Sequence, residues 1–232
     1  MPPAVRAIHS KITARARPRR AALRPTRDSE RTRAAILDAA TQEFARFGLG
    51  GARVDRIALH AKANKRMLYY YFGSKEDLFL VVLERVYENI RAEEQKLHLT
   101  DLAPVKGVEK LIVFTWTYYL AHPEFMTLLN SENLHRAQHL KRSLKIRAMH
   151  SPLIATLSEV LKRGVRAGTF RKGVDPVQLY VSIAALGYFY LSNNHTLSTI
   201  FDRDLLAPRA KTQRLRHMVE LVQGYLAANA TA

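Results

Sequence analysis

No cysteine occurs among the 232 residues, so disulfide scaffolds, thiolate metal sites and cysteine nucleophiles are excluded. Glycine (10) and proline (9) are sparse within long helical periods, and almost no alternating strand pattern is present. Long apolar runs are missing as well. The two longest, Leu111–Ala121 and Val177–Leu191, fall short of the ~18–20 residues of a spanning helix and contain polar residues. The N-terminal stretch has no apolar core of the signal-peptide kind, so the expectation is a soluble, cytoplasmic protein with no membrane partner. Catalytic signatures are lacking: there is no GxSxG, no nucleotide-binding loop and no paired glycines after a strand. A histidine near a carboxylate is expected by chance in a chain with nine histidines, so no enzyme is expected.

Acidic residues are scarce at the front of the chain, where the first is Asp28. Overall, 37 Lys+Arg face 20 Asp+Glu, a net +17. Residues 1–75 carry 17 basic and 5 acidic side chains, against 20 and 15 in the remainder. A polyanion-binding head on a nearly balanced body follows, the usual meaning of such an excess being nucleic acid or a membrane surface. Residues 1–27 contain eight basic and no acidic side chains together with four prolines, and self-repulsion with few large apolar groups predicts a disordered basic arm.

The apolar positions that follow repeat with helical period. Ile36, Ala40, Phe44 and Phe47 share one face of a first helix that starts after Asp28 or Ser29 and is stopped by Gly48, Gly50 and Gly51. Val54–Lys62 is long enough for two turns, with Ile57 and Ala58 inward. Asn64 caps a short helix through Tyr71, with Leu68 and Phe72 inward, and Ser74 caps a long one with Leu78, Phe79, Val82, Val86 and Ile90 on its buried side. Further helices are placed near 106–121, 123–138, 142–167, 175–193 and 208–228, with Pro123 and Pro176 in first turns. The fold class is therefore all-α, with about nine or ten helices.

Helix, helix, short turn, short helix within Arg31–Phe72 is the helix-turn-helix arrangement, whose last helix enters the major groove of B-DNA. Lys65, Arg66 and Met67 stand at the start of that helix, where base edges are reached. The hydroxyls of the following tyrosines suit phosphate oxygens, as does Lys75 at the start of the next helix. Beside these readings stand plainer ones. Tyr70 reads as a structural aromatic, Arg46 and Arg56 as solvated helix faces, and the Gly48–Gly51 run as a helix stop, since a phosphate loop needs a preceding strand and Gly-Lys-Ser/Thr.

The stretches RTRAAILDAATQEFARFGLGGARVDRIA and ANKRMLYYYFGSKEDLF resemble the DNA-binding domain of the TetR family of bacterial transcriptional regulators. The likeness covers Arg31–Leu80, and the remainder of the chain resembles the family only in length, helix content and order. The resemblance implies that Asn64 caps the recognition helix, that Lys65, Arg66 and Met67 face bases and phosphates, that Tyr69 and Tyr71 face phosphates, and that Lys75 opens the fourth helix. Two positions depart from it. Lys62 stands where the family usually has glycine in the turn, a left-handed lysine costing about 1 kcal/mol. Ala52 stands where a threonine is frequent, leaving Arg53 as a substitute phosphate ligand.

In the body, Ser182, Ala184, Ala185 and Gly187 permit close helix approach, and Leu215, Met218, Val219, Val222 and Leu226 form a stripe. With two-fold mates these make a four-helix dimer interface, and the resemblance implies the same; part of each stripe must also serve the chain's own core. Trp116, Tyr118, Tyr119, Phe125, Met126, Asn130, Asn133, Tyr188 and Tyr190 are candidates to line a mostly apolar cavity. The resemblance implies a small-molecule effector there that weakens DNA binding. For each aromatic taken alone, core packing is the commoner role. His135 and His139, four apart, suit a metal in spacing, but basic neighbours and the lack of a carboxylate at a matching offset make an exposed basic helix face the default. No metal or cofactor is expected.

The resulting expectation is a disordered arm (1–28), a helix-turn-helix domain (29–74) and an effector-binding and dimerisation body (75–232). Such a chain is a ligand-responsive regulator, foremost a repressor, that binds a palindromic double-stranded operator as a homodimer. The alternative is a general or architectural DNA-binding protein without effector control.

Overall fold

A computed structural model describes residues 27–228; the basic arm up to residue 26 lies outside the described residues. Among them are ten α-helices: α1 (Arg27–Gly51), α2 (Val54–His60), α3 (Lys65–Phe72), α4 (Lys75–Gln95), α5 (Pro104–Ala121), α6 (Pro123–Leu134), α7 (Leu144–Arg166), α8 (Pro176–Ser192), α9 (Asn194–Ile200) and α10 (Pro208–Leu226). Short 3-10 turns occupy 99–101 and 140–142. No helix among the described residues is long and apolar enough to cross a membrane.

The expected arm loses its last residues to α1, which begins at Arg27. Asp28 and Glu30 occupy its first turn, where negative charge meets the unsatisfied N–H groups. Ile36, Ala40 and Phe44 are fully buried as expected, but Phe47 is 40% exposed. The glycines do not stop the helix outright. Gly48 alone leaves helical geometry, at φ 64°, ψ 178°, and the chain resumes a final turn to Gly51. That kink swings Leu49 toward α6, where its N–H donates to Ser131 Oγ at 3.1 Å.

α1 packs on α4 and α6, while α5 runs through the body against α7, α8 and α10. The expected helix over 123–138 ends at Leu134, because Arg136 and Ala137 both adopt positive φ. His139 therefore lies outside a helix and is buried, not on an exposed basic face. Glu132 holds this reversal: its carboxylate accepts from the His139 and Leu140 N–H groups at 2.8 and 2.9 Å and meets His139 Nδ1 at 2.7 Å. The carboxylate that the sequence spacing did not offer thus reaches His139 through the turn. α9 was not expected at all.

Gly187 faces inward. A Cβ built there would lie 3.3 Å from Tyr119 Cδ2, so the close approach it permits is to α5 of the same chain. Met218, Val222 and Leu226 are likewise core. What α8 and α10 leave outside is a different set: Val177, Val181 and Phe189 on α8 and Leu221 and Tyr225 on α10, all large apolar side chains about half exposed.

Candidate nucleic-acid interface and body cavity

The head is assembled around a buried carboxylate. Glu43 of α1 accepts from the Arg53 N–H at 2.8 Å and from Arg56 Nε at 2.7 Å, which fixes the start of α2. Burial raises the Glu43 pKa, but the Arg56 and Arg53 hydrogen bonds outweigh it and hold the carboxyl below its usual value. Arg56 is not a solvated face: its guanidinium also stacks 4.2 Å from the Phe47 ring centroid. Arg46 covers the same ring at 5.1 Å, which is how Phe47 stands outside the core.

Lys62 ends α2 at φ 50°. The Ala63 N–H reaches back to the Ala58 carbonyl at 3.0 Å and the Lys62 N–H to that of Leu59 at 3.1 Å, a Schellman-type closure that requires the left-handed residue. The lysine takes the glycine-like geometry despite its Cβ. Asn64 then caps α3, its side chain accepting from the Arg66 N–H at 2.8 Å. Leu68 and Phe72 point into the core.

With those two inward, α3 presents Lys65, Arg66, Tyr69 and Tyr70 to solvent. Tyr70, read as structural, is the most open tyrosine of the three, 78% exposed. Tyr71 turns the other way and donates to Ser29 Oγ of α1 at 3.1 Å. Met67 is half-buried against the core. Lys65 pairs with Asp55 at 2.8 Å, and this hydrogen bond raises the lysine pKa and lowers that of the aspartate. Lys75 Nζ donates to the carbonyls of Leu49 and Ala52 at 2.9 and 3.4 Å, so it staples the α1–α2 turn to α4. Arg53 keeps an exposed side chain beside Ala52.

The body residues expected to line a ligand site are brought together, but by packing on one another. Trp116, Tyr119, Phe125 and Met126 are almost wholly buried. Tyr119 stacks on Phe125 at 5.9 Å, and Trp116 meets Tyr190 edge-on at 5.7 Å. Tyr188 donates to Asn130; Asn130 and Asn133 are exposed.

A cavity of about 170 Å³ lies elsewhere, between the C-terminal end of α4, the 3-10 turn at 99–101 and α7. Arg91 and Glu94 border it, with side chains only 5% and 3% exposed. Arg91 Nη1 lies 2.5 Å from Glu94 Oε2, and Nη2 donates to the Tyr180 hydroxyl at 2.6 Å. Burial pushes the Glu94 carboxyl up to about 7 against the pull of Arg91. Sequence reasoning passed over this pair, although a signal was present: one helical turn after Ile90, the buried stripe of α4 runs on into charged residues. His135 Nδ1 contacts the Ser131 carbonyl at 2.7 Å, and no cluster of three or more metal-ligating side chains occurs among the described residues.

Comparison with known proteins bears on both regions. Residues 36–82 match a family model described as bacterial regulatory proteins, tetR family, and residues 104–222 match one described as tetracyclin repressor-like, C-terminal domain. The chain is 41% identical over 193 residues to the HTH-type transcriptional repressor NicS of Pseudomonas putida, covering 83% of this chain and 91% of that protein. It is 37% identical over 142 residues to the HTH-type transcriptional repressor SCO4008 of Streptomyces coelicolor, covering 60% and 69%. A crystal structure of SCO4942 from Streptomyces coelicolor superposes with a TM-score of 0.64 at 27% identity, covering 85% of this chain and 99% of that one.

Proposed function

The chain belongs to the TetR family of bacterial regulatory proteins, which makes it a DNA-binding transcriptional regulator, and on that premise we propose that it is a repressor released from a palindromic operator by a small molecule. The observation that carries this reading is α3: a capped helix anchored by Leu68 and Phe72, with Arg66, Tyr69 and Tyr70, and Lys65 in its pair with Asp55, exposed on its outer face. Arg66 reads base edges, Lys65 exchanges Asp55 for a phosphate, and Tyr69, Tyr70 and Arg53 anchor the backbone. Met67 and Tyr71 position α3, and Lys75 holds the turn beneath it. Residues 29–74 form the reading head, residues from 75 onward the sensing and dimerising body, and the basic arm adds sequence-independent affinity by counterion release.

A single head contacts only a few base pairs, so operator recognition needs two heads about 34–36 Å apart. The set Val177, Val181, Phe189, Leu221 and Tyr225 joins two copies through α8 and α10. The test is a binding titration on a palindrome selected from random-sequence DNA. Phe189→Arg is expected to sediment as a folded monomer that binds the palindrome hardly better than its half-site. A dimeric Phe189→Arg protein places the interface elsewhere. Arg66→Ala is expected to relax specificity at one base position per half-site by about 1–3 kcal/mol. A uniform loss across all sequences removes Arg66 from base readout, and wild-type binding that ignores sequence favours an architectural protein.

A further inference from the structure

The Arg91–Glu94 pair is incomplete. Two charged side chains are almost fully buried, yet Arg91 Nε and Nη1 and Glu94 Oε2 have no hydrogen-bonding partner. The close Nη1–Oε2 approach at 2.5 Å is electrostatic contact without the alignment a hydrogen bond needs. Burying an ion pair is compensated only when the remaining donors and acceptors are satisfied. The buried carboxylates Glu43 and Glu132 meet that demand, each accepting from several donors, and outside the pair only Arg214 Nε among the described residues shares the deficit. At Arg91 the demand is unmet, and the arginine borders the cavity.

We propose that this cavity is the effector site and that it takes a small organic carboxylate, of one ring or a short chain, whose carboxylate is held by Arg91. This rests on reading the body as the sensing part of the regulator. Charge selects an anion: the guanidinium is permanently cationic and has spare N–H groups, and a planar carboxylate matches its fork. Glu94 competes for the same guanidinium, but burial pushes its carboxyl up to about 7, so the competition is weakened rather than complete. Size selects a small molecule: a cavity of about 150 Å³ accommodates benzene, and this one is about 170 Å³. Leu99, Met149 and Leu153 supply an apolar wall for the ring or chain, and His98 and Thr156 a polar one. The site also has a route to the head. Arg91 sits near one end of α4, and Leu78 and Phe79 at the other end are fully buried in the core that α1 shares.

Calorimetry and thermal melting of the full chain with benzoate and hexanoate, each beside its neutral amide, test the assignment. At least one carboxylate is expected to raise the melting temperature and to bind at least about tenfold more tightly than its amide, with benzylamine inert. Glu94→Gln removes the competing carboxylate and is expected to tighten that binding about tenfold, whereas Arg91→Gln abolishes the preference for acid over amide. Should Arg91→Gln fail to fold, Glu94→Gln and the acid-to-amide ratio still decide. Amides that bind as well as the acids, no carboxylate binding to either wild type or Glu94→Gln, or retained preference in a folded Arg91→Gln protein overturns the site. Operator titration of the same samples separates the two readings. Intact operator binding without carboxylate binding sinks the site alone, and lost sequence-specific DNA binding sinks the regulator reading.

Discussion

Glu43 in the head and Glu94 in the body are buried to nearly the same degree, 4% and 5% exposed, and their surroundings push them in opposite directions. Glu43 accepts a backbone N–H and an arginine Nε, and its carboxyl is held low. Glu94 has one arginine, poorly aligned, and its carboxyl rises to about 7. Equal exposure does not make equal environments: Glu94 lies deeper in the protein, and its carboxylate has fewer satisfied hydrogen bonds than that of Glu43. In the head the Arg53 N–H, Arg56 and Lys75 are used to make a platform beneath α3, and reach into solvent falls to α3. In the body, donors have been left over beside an open volume.

The comparison breaks most readily at stability. Glu43→Ala strands the Arg53 N–H and the Arg56 guanidinium, and is expected to cost about 1.5–3 kcal/mol in urea unfolding. Glu94→Gln leaves the buried Arg91 cation without its counterion, but because burial already drives the Glu94 carboxyl up to about 7, the variant is expected to cost less than that at pH 7. Equal losses in the two variants would erase the distinction.

The pH profile sharpens it further. A carboxyl whose folded pKa is raised binds its proton more tightly in the native state, so its ionisation destabilises the fold as pH climbs. For Glu94 the window runs from the ordinary value of 4.5 to about 7. Wild type is therefore expected to lose stability relative to Glu94→Gln across that range and to run parallel to it above. Glu43 has the opposite sign: its contribution is fully present above the unfolded pKa and is lost as pH falls through its lowered native value. Urea midpoints of the three proteins, measured from acid to neutral pH, check both slopes.

The smallest effect distinguishes neighbouring tyrosines. Tyr71→Phe loses a hydrogen bond to Ser29 and is expected to cost about 0.5–1.5 kcal/mol of stability, with the salt slope of DNA binding unchanged. Tyr70→Phe is expected to leave the melting temperature alone and to weaken DNA binding slightly. An exchange of these phenotypes would mean that α3 is rotated relative to its present setting.

Much of the fold was legible because helical periodicity reports burial directly. Ile36, Ala40, Phe44, Leu68, Phe72, Leu78 and Phe79 were all placed inward from spacing, and all are buried. Asn64 and Ser74 cap the helices assigned to them, because a short side-chain oxygen at that position answers a local need. What periodicity misses is contact set by the tertiary path. Phe47 lies on the apolar face by spacing, yet two arginines from different helices cover it in solvent. Gly187 looked like a contact between copies, although its neighbour is Tyr119 of the same chain. His139 was assigned to a helix that Glu132 ends early. The aromatic cluster of α5 and α6 was legible as a group, but composition does not reveal whether rings enclose a space or fill it. For the cavity, the clue lay in Arg91 and Glu94 interrupting an apolar stripe, a pattern that has meaning only once their partners can be counted.

The bond from the Leu49 N–H to Ser131 has a mechanical consequence. The head is joined to the body through α4 and through the packing of α1 on α6, where this contact sits at the kinked end of α1. A rigid piece attached at one place swivels freely, whereas one attached at two separated places keeps a single axis, the line through both. A displacement of α4 relative to α6 is therefore expected to reorient α3. For a pair of reading helices that must match the pitch of DNA, a small slide deep in the body becomes a change in the distance between them.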